Sequence, residues 1–254
     1  MENFVIAIPS YQRAESQKTL EYMERLGVPA SKVYIFVQTT QDKEEYKRYS
    51  KRANIVYAPA NGIARARNNI LQRLSDTANI LMMDDDISAI SRLRGDKLVG
   101  VESRAEFAEL FNKCFKMAAA KDSPLFGIYP VHNAFFMSHT ISTAVTVNTV
   151  VGFIKGGGLA FDDSYKAKED IELCARVLSS GRKVYRYNFM AMNAKHRTNA
   201  GGCHDTWHSG ENRRTVERLS KAYPDILAPH PTKPDEVKVI LKDTDKIDLK
   251  RKKE

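Results

Sequence analysis
The chain of 254 residues is 43% hydrophobic and 28% charged, an ordinary globular composition with enough apolar content for one large core. No apolar run approaches the roughly 18 residues that span a bilayer, and the opening MENFVIAIPSYQR lacks the basic start and cleavage site of a secretory leader. The expectation is a protein without membrane contact that acts in the cytoplasm. A formal charge of +9 favours a polyanionic partner, with part of the excess in the terminal LKRKKE.

NFVIAIPSYQR is a short, β-branched apolar run stopped by Pro9-Ser10, as expected of a buried strand feeding a loop. TLEYMERLG sets Leu20, Met23 and Leu26 on one helical face, with Gly27 and Pro29 as stop signals. KVYIFVQ and ANIVYAPA read as the second and third strands. GIARARNNILQRL repeats the helical spacing at Ile63, Ala66, Ile70, Leu71 and Leu74, and NILMM is the fourth strand. This alternation predicts an α/β fold with a parallel, doubly wound sheet whose ligands sit at the carboxyl ends of the strands. RAEFAELFNKCFKMAAA is an amphipathic helix with Phe107, Leu110, Phe111, Cys114 and Met117 inward. The block from Leu125 to Phe161 is strand-rich, broken at Gly156-Gly157-Gly158, and reads as an antiparallel addition to the sheet. KEDIELCARVLSSG returns to helix and RKVYRYNFMAM to strand. AKHRTNAGGCHDTWHSGENRR is a long loop of the length that is usually functional or disordered. TVERLSKAY is the last helix, and residues 229–254 read as a charged tail behind a single domain over 1–228. Cys114, Cys174 and Cys203 have no paired metal spacing, and two of them fall on apolar helix faces, so no disulfide is expected.

The fourth strand runs into Asp84, Asp85 and Asp86. Continued as a strand, these residues alternate, with Asp84 and Asp86 on one face and Asp85 on the other. Two carboxylates then converge on one ligand, and a divalent cation between them and a phosphate keeps both charged. The alternative is an acidic cap on a following helix.

VIAIPSYQR, GIARARNN, MMDDD, GGGLAF and KEDIEL, in that order, resemble GT-A glycosyltransferases. The resemblance implies a Rossmann-like mixed sheet flanked by helices, with residues 1–90 as the nucleotide-sugar-binding half and 91–228 as the acceptor and metal/base half. It places Pro9, Ser10, Tyr11 and Arg13, with Arg67 and Asn68, on the nucleotide of the donor, and Gly157 and Gly158 beside it. The aspartates correspond to the DxD motif, Asp84 and Asp85 toward the nucleotide and Asp86 toward the metal. Asp170 takes the position of the general base of inverting members, where a carboxylate removes the proton of the acceptor hydroxyl; the alternative is that Glu169 and Asp170 complement the helix dipole. Glu172 reads as a surface residue. His196 follows the last strand, where such enzymes often complete the metal site, and an imidazole there favours Mn²⁺ over Mg²⁺. His204 and His208 are rivals for that position. Arg197, Arg213 and Arg214 either neutralise the departing diphosphate or are solvated charges. Gln38 stands where many members carry an acidic residue that reads the base, which leaves the nucleotide open, with a UDP-sugar favoured.

The compact layout and basic charge are most similar to phage DNA-modifying glycosyltransferases related to the base J glucosyltransferase. That resemblance implies DNA with hydroxymethylated pyrimidines as acceptor, in the host cytoplasm, with His132, Asn133, Phe135, Phe136 and His139 as candidates to meet a flipped base or else as core. A bacterial family-2 type transferase acting on a cell-wall or lipid-linked sugar is the alternative.

Overall fold
The computed structural model describes residues 3–194 and 211–249. Strands β1 (Phe4–Ser10), β2 (Val33–Val37), β3 (Asn54–Tyr57) and β4 (Asn79–Met83) lie side by side in the order β3-β2-β1-β4 and all run parallel. Helices α1 (Lys18–Arg25), α2 (Thr40–Glu45) and α3 (Ile63–Leu74) fall between them in the chain. Every residue of β1 is buried, as a central strand covered on both faces must be. Its alternation divides the core. Phe4, Ile6 and Ile8 pack with Leu20 and Met23 of α1 on one side, while Val5 and Ala7 pack with Ala64, Ile70 and Leu71 of α3 on the other.

Beyond β4 the sheet becomes mixed. The β5 (Ile87–Arg94) and β6 (Lys97–Gly100) hairpin turns at Gly95 and leads into α4 (Arg104–Ala120), whose N-cap Ser103 accepts from the Glu106 amide. Then follow β7 (Leu125–Tyr129), β8 (Thr140–Ser142), β9 (Val150–Phe153), α5 (Glu169–Ser179) and β10 (Tyr185–Ala194). Strand β9 lies antiparallel between β4 and β7, so β7 points the same way as β4 and their carboxyl ends share one rim. Strand β10 pairs with β7 and β8 along its first half and with β5 along its second. Gly152 makes the tight spot possible, since a Cβ there would lie 2.2 Å from the Phe126 ring. Helix α4 covers the Phe4 face through Phe107, Phe111 and Phe115, and α5 covers the Val5 face through Leu173, Cys174 and Val177. Cys114 and Cys174 are buried, unbridged thiols.

Residues 229–249 are not a tail. After α6 (Glu211–Ala222), strand β11 (Leu227–Pro229) pairs with β12 (Val237–Val239), and β13 (Ile247–Asp248) adds to the open edge of β8. Apolar Val237, Val239, Ile247 and Leu249 pack on the core, and Asp243 accepts from the amide and hydroxyl of Thr143 at 3.0 and 2.7 Å. Among the described residues, no helix is long and apolar enough to cross a membrane.

Candidate active site
Strand β4 ends at Met83, and Asp84, Asp85 and Asp86 form the turn into β5 rather than a continued strand or a helix cap. Burial alternates nonetheless, with Asp84 and Asp86 half-exposed and Asp85 at 3% exposure. Thr19, at the start of α1, fixes the turn. Its hydroxyl donates to the Asp84 carbonyl and accepts from the Ile87 amide at 3.0 Å, and its own amide donates to the Asp85 carbonyl at 3.2 Å. The Asp84 amide donates to the Thr149 carbonyl at 3.0 Å.

Asp85 and Asp84 turn to different partners. The Asp85 carboxylate turns inward and receives Ser10 Oγ at 2.5 Å and the Arg13 guanidinium at 2.7 Å. Ser10 Oγ also meets Tyr46 Oη at 2.6 Å and Gln17 Nε2 at 2.9 Å, so the loop after β1 and the aspartate turn share one buried polar network. Burial pushes the Asp85 carboxyl up to about 6, against the pull of Arg13. Both Ser10 and Asp85 therefore anchor the loop through their side chains, and Tyr11 and Arg13 are its half-exposed members.

Asp84 faces the other way. Its Oδ1 lies 3.1 Å from the Arg67 guanidinium, which also holds Glu169 Oε1 at 2.7 Å. Arg67 on α3 thus joins the aspartate turn to the first turn of α5, which carries Glu169 and Asp170. Asp170 Oδ1 accepts from the Ile171 amide at 2.8 Å. Below this cluster, Met82, Leu125, Val147 and Leu173 enclose an apolar cavity of about 10 Å³, room for one water and far too small for a nucleotide. That apolar floor raises the pKa values of Glu169 and Asp170, with Arg67 opposing the rise and the charge of Asp84 adding to it.

Backbone strain gathers here as well. Among the described residues, four non-glycine residues have positive φ, and Gln12 (54°), Thr149 (59°) and Lys168 (58°) border the site. Such conformations cost on the order of 1–3 kcal/mol and persist where surrounding contacts hold them. The Gln12 amide is held by Asp42 Oδ1 at 3.0 Å.

The structure thus brings together Pro9, Ser10, Tyr11, Arg13, Arg67, Asp84, Asp85, Asp86 and Asp170 at the carboxyl ends of β1 and β4. It does not bring Asn68, Gly157 or Gly158. The Asn68 amide is committed to the Phe161 backbone, donating at 2.9 Å and accepting at 2.7 Å, and to Asp163 at 2.8 Å. Gly157 and Gly158 follow β9, whose antiparallel course carries them to the opposite end of the sheet; there the neighbouring Gly156 amide donates to Ser75 at the end of α3 and Lys155 to Asn79 at the start of β4. Glu172 is buried rather than superficial, accepting from Tyr223 Oη at 2.7 Å and Arg176 Nε at 3.0 Å. Arg213 and Arg214 project from α6 near Glu217 and Glu211 as exposed charges. His196, His204, His208 and Arg197 lie outside the described residues. Thr19 and Tyr46 belong to the site's framework, and nothing in the local sequence marks them, because their partners are distant in the chain.

A second feature occupies the same rim. The loop after β7 carries Phe135 and Phe136, 85% and 57% exposed, in edge-to-face contact with ring centroids 5.1 Å apart. Asn133 caps the short 3₁₀ turn by accepting from the Phe135 amide, His132 Nε2 meets Ser91 Oγ at 2.9 Å, and His139 Nε2 meets the Gly95 carbonyl at 3.1 Å. The histidines are tied to the β5–β6 hairpin; the two phenylalanines face solvent.

A family model described as "TET-associated glycosyltransferase" matches residues 4–202. Among solved structures, S. aureus TarS (residues 1–349) is similar at 12% identity and TM-score 0.52, over 87% of this chain and 65% of that one. Glucosyl-3-phosphoglycerate synthase from Mycobacterium tuberculosis is similar at 10% identity and TM-score 0.50, over 94% and 87%. This chain therefore spans less than two thirds of the TarS fragment, and at these identities the likeness is one of fold, the GT-A arrangement. No curated protein sequence matches.

Proposed function
The chain belongs to the TET-associated glycosyltransferase family, and from that premise we propose a metal-dependent, inverting transfer of a sugar from a nucleotide-sugar, a UDP-sugar in the first instance, to the 5-hydroxymethyl group of a modified pyrimidine in DNA. The observation that carries the reading is the Arg67 bridge, which puts Asp84 and the acidic start of α5 in one cluster at the ligand-binding rim. Donor and base chemistry then have one address.

In this reading Tyr11 and Arg13 meet the nucleotide, and Arg13 and Arg67 offset the charge of its diphosphate. Asp84 and Asp86 are half-exposed oxygen donors on neighbouring positions. The described residues hold no group of three His, Cys, Asp or Glu side chains able to enclose an ion; one or two carboxylates completed by substrate phosphates is the usual arrangement for Mg²⁺, and the donor set fits it. Asp84 and Asp86 would hold the ion, with His196 the further candidate, which would shift preference to Mn²⁺. Bound there, a divalent cation supplies charge neutralisation to the leaving diphosphate. Asp170 takes the proton of the acceptor hydroxyl as that oxygen bonds to the anomeric carbon. The bond from that carbon to the diphosphate oxygen breaks on the opposite face, its electron pair leaving with the nucleotide, so the configuration inverts. The raised pKa of Asp170 makes it a stronger base than an ordinary carboxylate.

The acceptor rests on the charge of +9 and the solvent-facing Phe135–Phe136 pair, a platform of the kind on which an unstacked base sits. The reaction is assigned to the cytoplasm, where such DNA lies, and the kinship to phage base-modifying enzymes is part of the same proposal. The test is incubation with Mn²⁺, a panel of nucleotide sugars and DNA carrying either plain or 5-hydroxymethylated pyrimidines, followed by digestion to nucleosides and mass measurement. A sugar increment confined to hydroxymethylated bases is expected. Transfer to a lipid-linked or cell-wall sugar, with none to DNA, would overturn the acceptor in favour of a family-2 type reaction.

A further inference from the structure
Strand β10 carries an arginine whose surroundings do not explain it as a packing residue. Tyr185 and Tyr187 pack into the core under α4, Tyr187 Oη donating to the Cys114 carbonyl at 2.9 Å. By strand alternation Arg186 between them points to the opposite face, the one covered by α5 and bearing Asp170. Its register partner on β7 is Gly127, and a Cβ at Gly127 would strike Val147 at 2.5 Å. Val147 in turn exchanges contacts with Cys174 of α5. Arg186 therefore stands one strand away from the residues that floor the Asp170 cluster.

The side chain is built in at its root. The guanidinium carbon lies 5.1 Å from the centroid of the Tyr129 ring, and Nε donates to Asn188 Oδ1 at 2.8 Å. Asn188 is fixed in turn by donating to Thr140 Oγ1 and Ser142 Oγ, each at 2.9 Å. Yet among the described residues no carboxylate lies within 4.0 Å of Arg186. The carboxylate whose charge acts on it is Asp243, and one oxygen of Asp243 is already taken by Thr143. Burial lowers the guanidinium's pKa, with the Tyr129 hydroxyl and Asp243 pulling the other way. A half-buried cation aimed by a ring and an amide, with its terminal nitrogens uncommitted among the described residues, is the arrangement that captures an oxyanion.

The ligand class follows from the neighbours. Tyr129 is the last residue of β7, and the loop it starts carries the exposed Phe135 and Phe136 six and seven residues later. The same loop is tied to β10 through the Ser138 amide and the Asn188 carbonyl at 3.2 Å. We propose that Arg186, stacked on Tyr129 and oriented by Asn188, is a binding site for one backbone phosphate of the acceptor, setting the strand's position relative to the aromatic pair and to Asp170. This rests on the acceptor being a phosphodiester polymer, and the test separates the two claims.

Arginine side-chain ¹⁵N spectra of the full chain would be followed while dimethyl phosphate, and separately a short hydroxymethylated duplex, is added. The Arg186 Nε–H signal, identified by its loss in R186Q, is expected to shift with both. Binding of the duplex by R186Q should show a salt slope smaller than wild type by about 0.9, the weight of one phosphate contact, while R186K keeps most of the slope; binding of UDP with Mn²⁺ should be unchanged in both, which also reports folding. A signal unmoved by either probe, or an R186Q slope equal to wild type, overturns the site. A shift with dimethyl phosphate but no duplex binding keeps the site and overturns DNA as the acceptor. Wild-type acceptor KM in folded R186Q with transfer to DNA intact overturns the site and leaves the acceptor standing.

Discussion

Replacing Arg67 with Met tests whether the bridge between the aspartate turn and α5 is what holds the site's carboxylates together. Arg67 is 8% exposed and is bound to Glu169, itself 4% exposed, at 2.7 Å and to the more open Asp84 at 3.1 Å. Removing one partner of a buried pair costs about 3–5 kcal/mol, because the remaining charge keeps its desolvation cost. At about 2–4 °C per kcal/mol for a chain of this size, the melting temperature should fall by roughly 6–20 °C near pH 7.5. The sign of the pH dependence follows from the acids. Burial raises the pKa values of Glu169 and Asp170 and Arg67 holds them down, so without it they rise further. The native state then binds more protons than the unfolded chain, and its stability falls as pH rises. The deficit should therefore be smaller at pH 5.5 than at pH 7.5. Adding Glu169→Gln to Arg67→Met removes the stranded carboxylate and should recover part of the loss at pH 7.5. Thermal melts of wild type, both single variants and the double variant at two pH values complete the cycle. A loss below about 2 °C, or one equal at both pH values with no recovery in the double variant, would refute the electrostatic account.

Asp170→Asn keeps the shape of the side chain and removes its basicity, so UDP binding should persist while transfer falls by about 10²–10⁴; equal losses of both would make Asp170 structural. Asp86→Ala should abolish Mn²⁺-dependent UDP binding in calorimetry with little change in melting temperature, since the side chain is half-exposed; undiminished binding would remove Asp86 from the metal. Because the folded pKa of Asp85 is raised to about 6 from 3.8, wild type should gain stability relative to Asp85→Asn as pH falls from 7.5 toward 4.5, the gain setting in as pH drops through about 6 and growing below it; a pH-independent difference between the two melting curves would contradict the burial of that carboxyl. Phe135→Ala together with Phe136→Ala should leave the melting temperature unchanged and raise the KM for hydroxymethylated DNA, and an unaltered KM would take the aromatic pair out of acceptor binding.

What the sequence makes legible is what local periodicity encodes. The alternation in FVIAIPS, the helical spacing from Ile63 to Leu74 and the approach of NILMM to three aspartates place β1, α3 and β4 and the rim where the site lies. Long-range partners are not encoded that way. Thr19 supports the aspartate turn across 65 residues, and Tyr46 reaches Ser10 across 36. Glu172 looks superficial until the chain leaving α6 supplies Tyr223. The glycine run misleads for a different reason: composition shows a strand before Gly156 but not its direction, and the antiparallel course of β9 decides which end of the sheet receives the turn. Asn68 is placed correctly on α3, yet the return of the chain at Phe161 claims both ends of its amide. Sparse apolar positions in a charged stretch, such as Val237, Val239 and Ile247, signal no strand until an open edge is there to receive them.

The same distinction accounts for three aspartates where a ligand needs fewer. A metal-bound diphosphate needs one or two carboxylates, and a single buried acid suffices to hold the loop after β1. Asp85 serves the loop through Ser10 and Arg13, Asp84 reaches the first turn of α5 through Arg67, and Asp86 stands half-exposed at the end of the turn. Shifting the turn by one residue would bury the wrong carboxylate and strand Arg13, just as a one-residue slip in a strand exchanges its faces. Thr19 prevents that slip by bonding to the backbone at Asp84, Asp85 and Ile87 rather than to any carboxylate. Thr19→Val, which keeps the volume and removes the hydroxyl, should therefore weaken UDP binding and transfer together while all three carboxylates remain. If that variant matched wild type in both, with an unchanged melting temperature, the turn would be held by its strands alone.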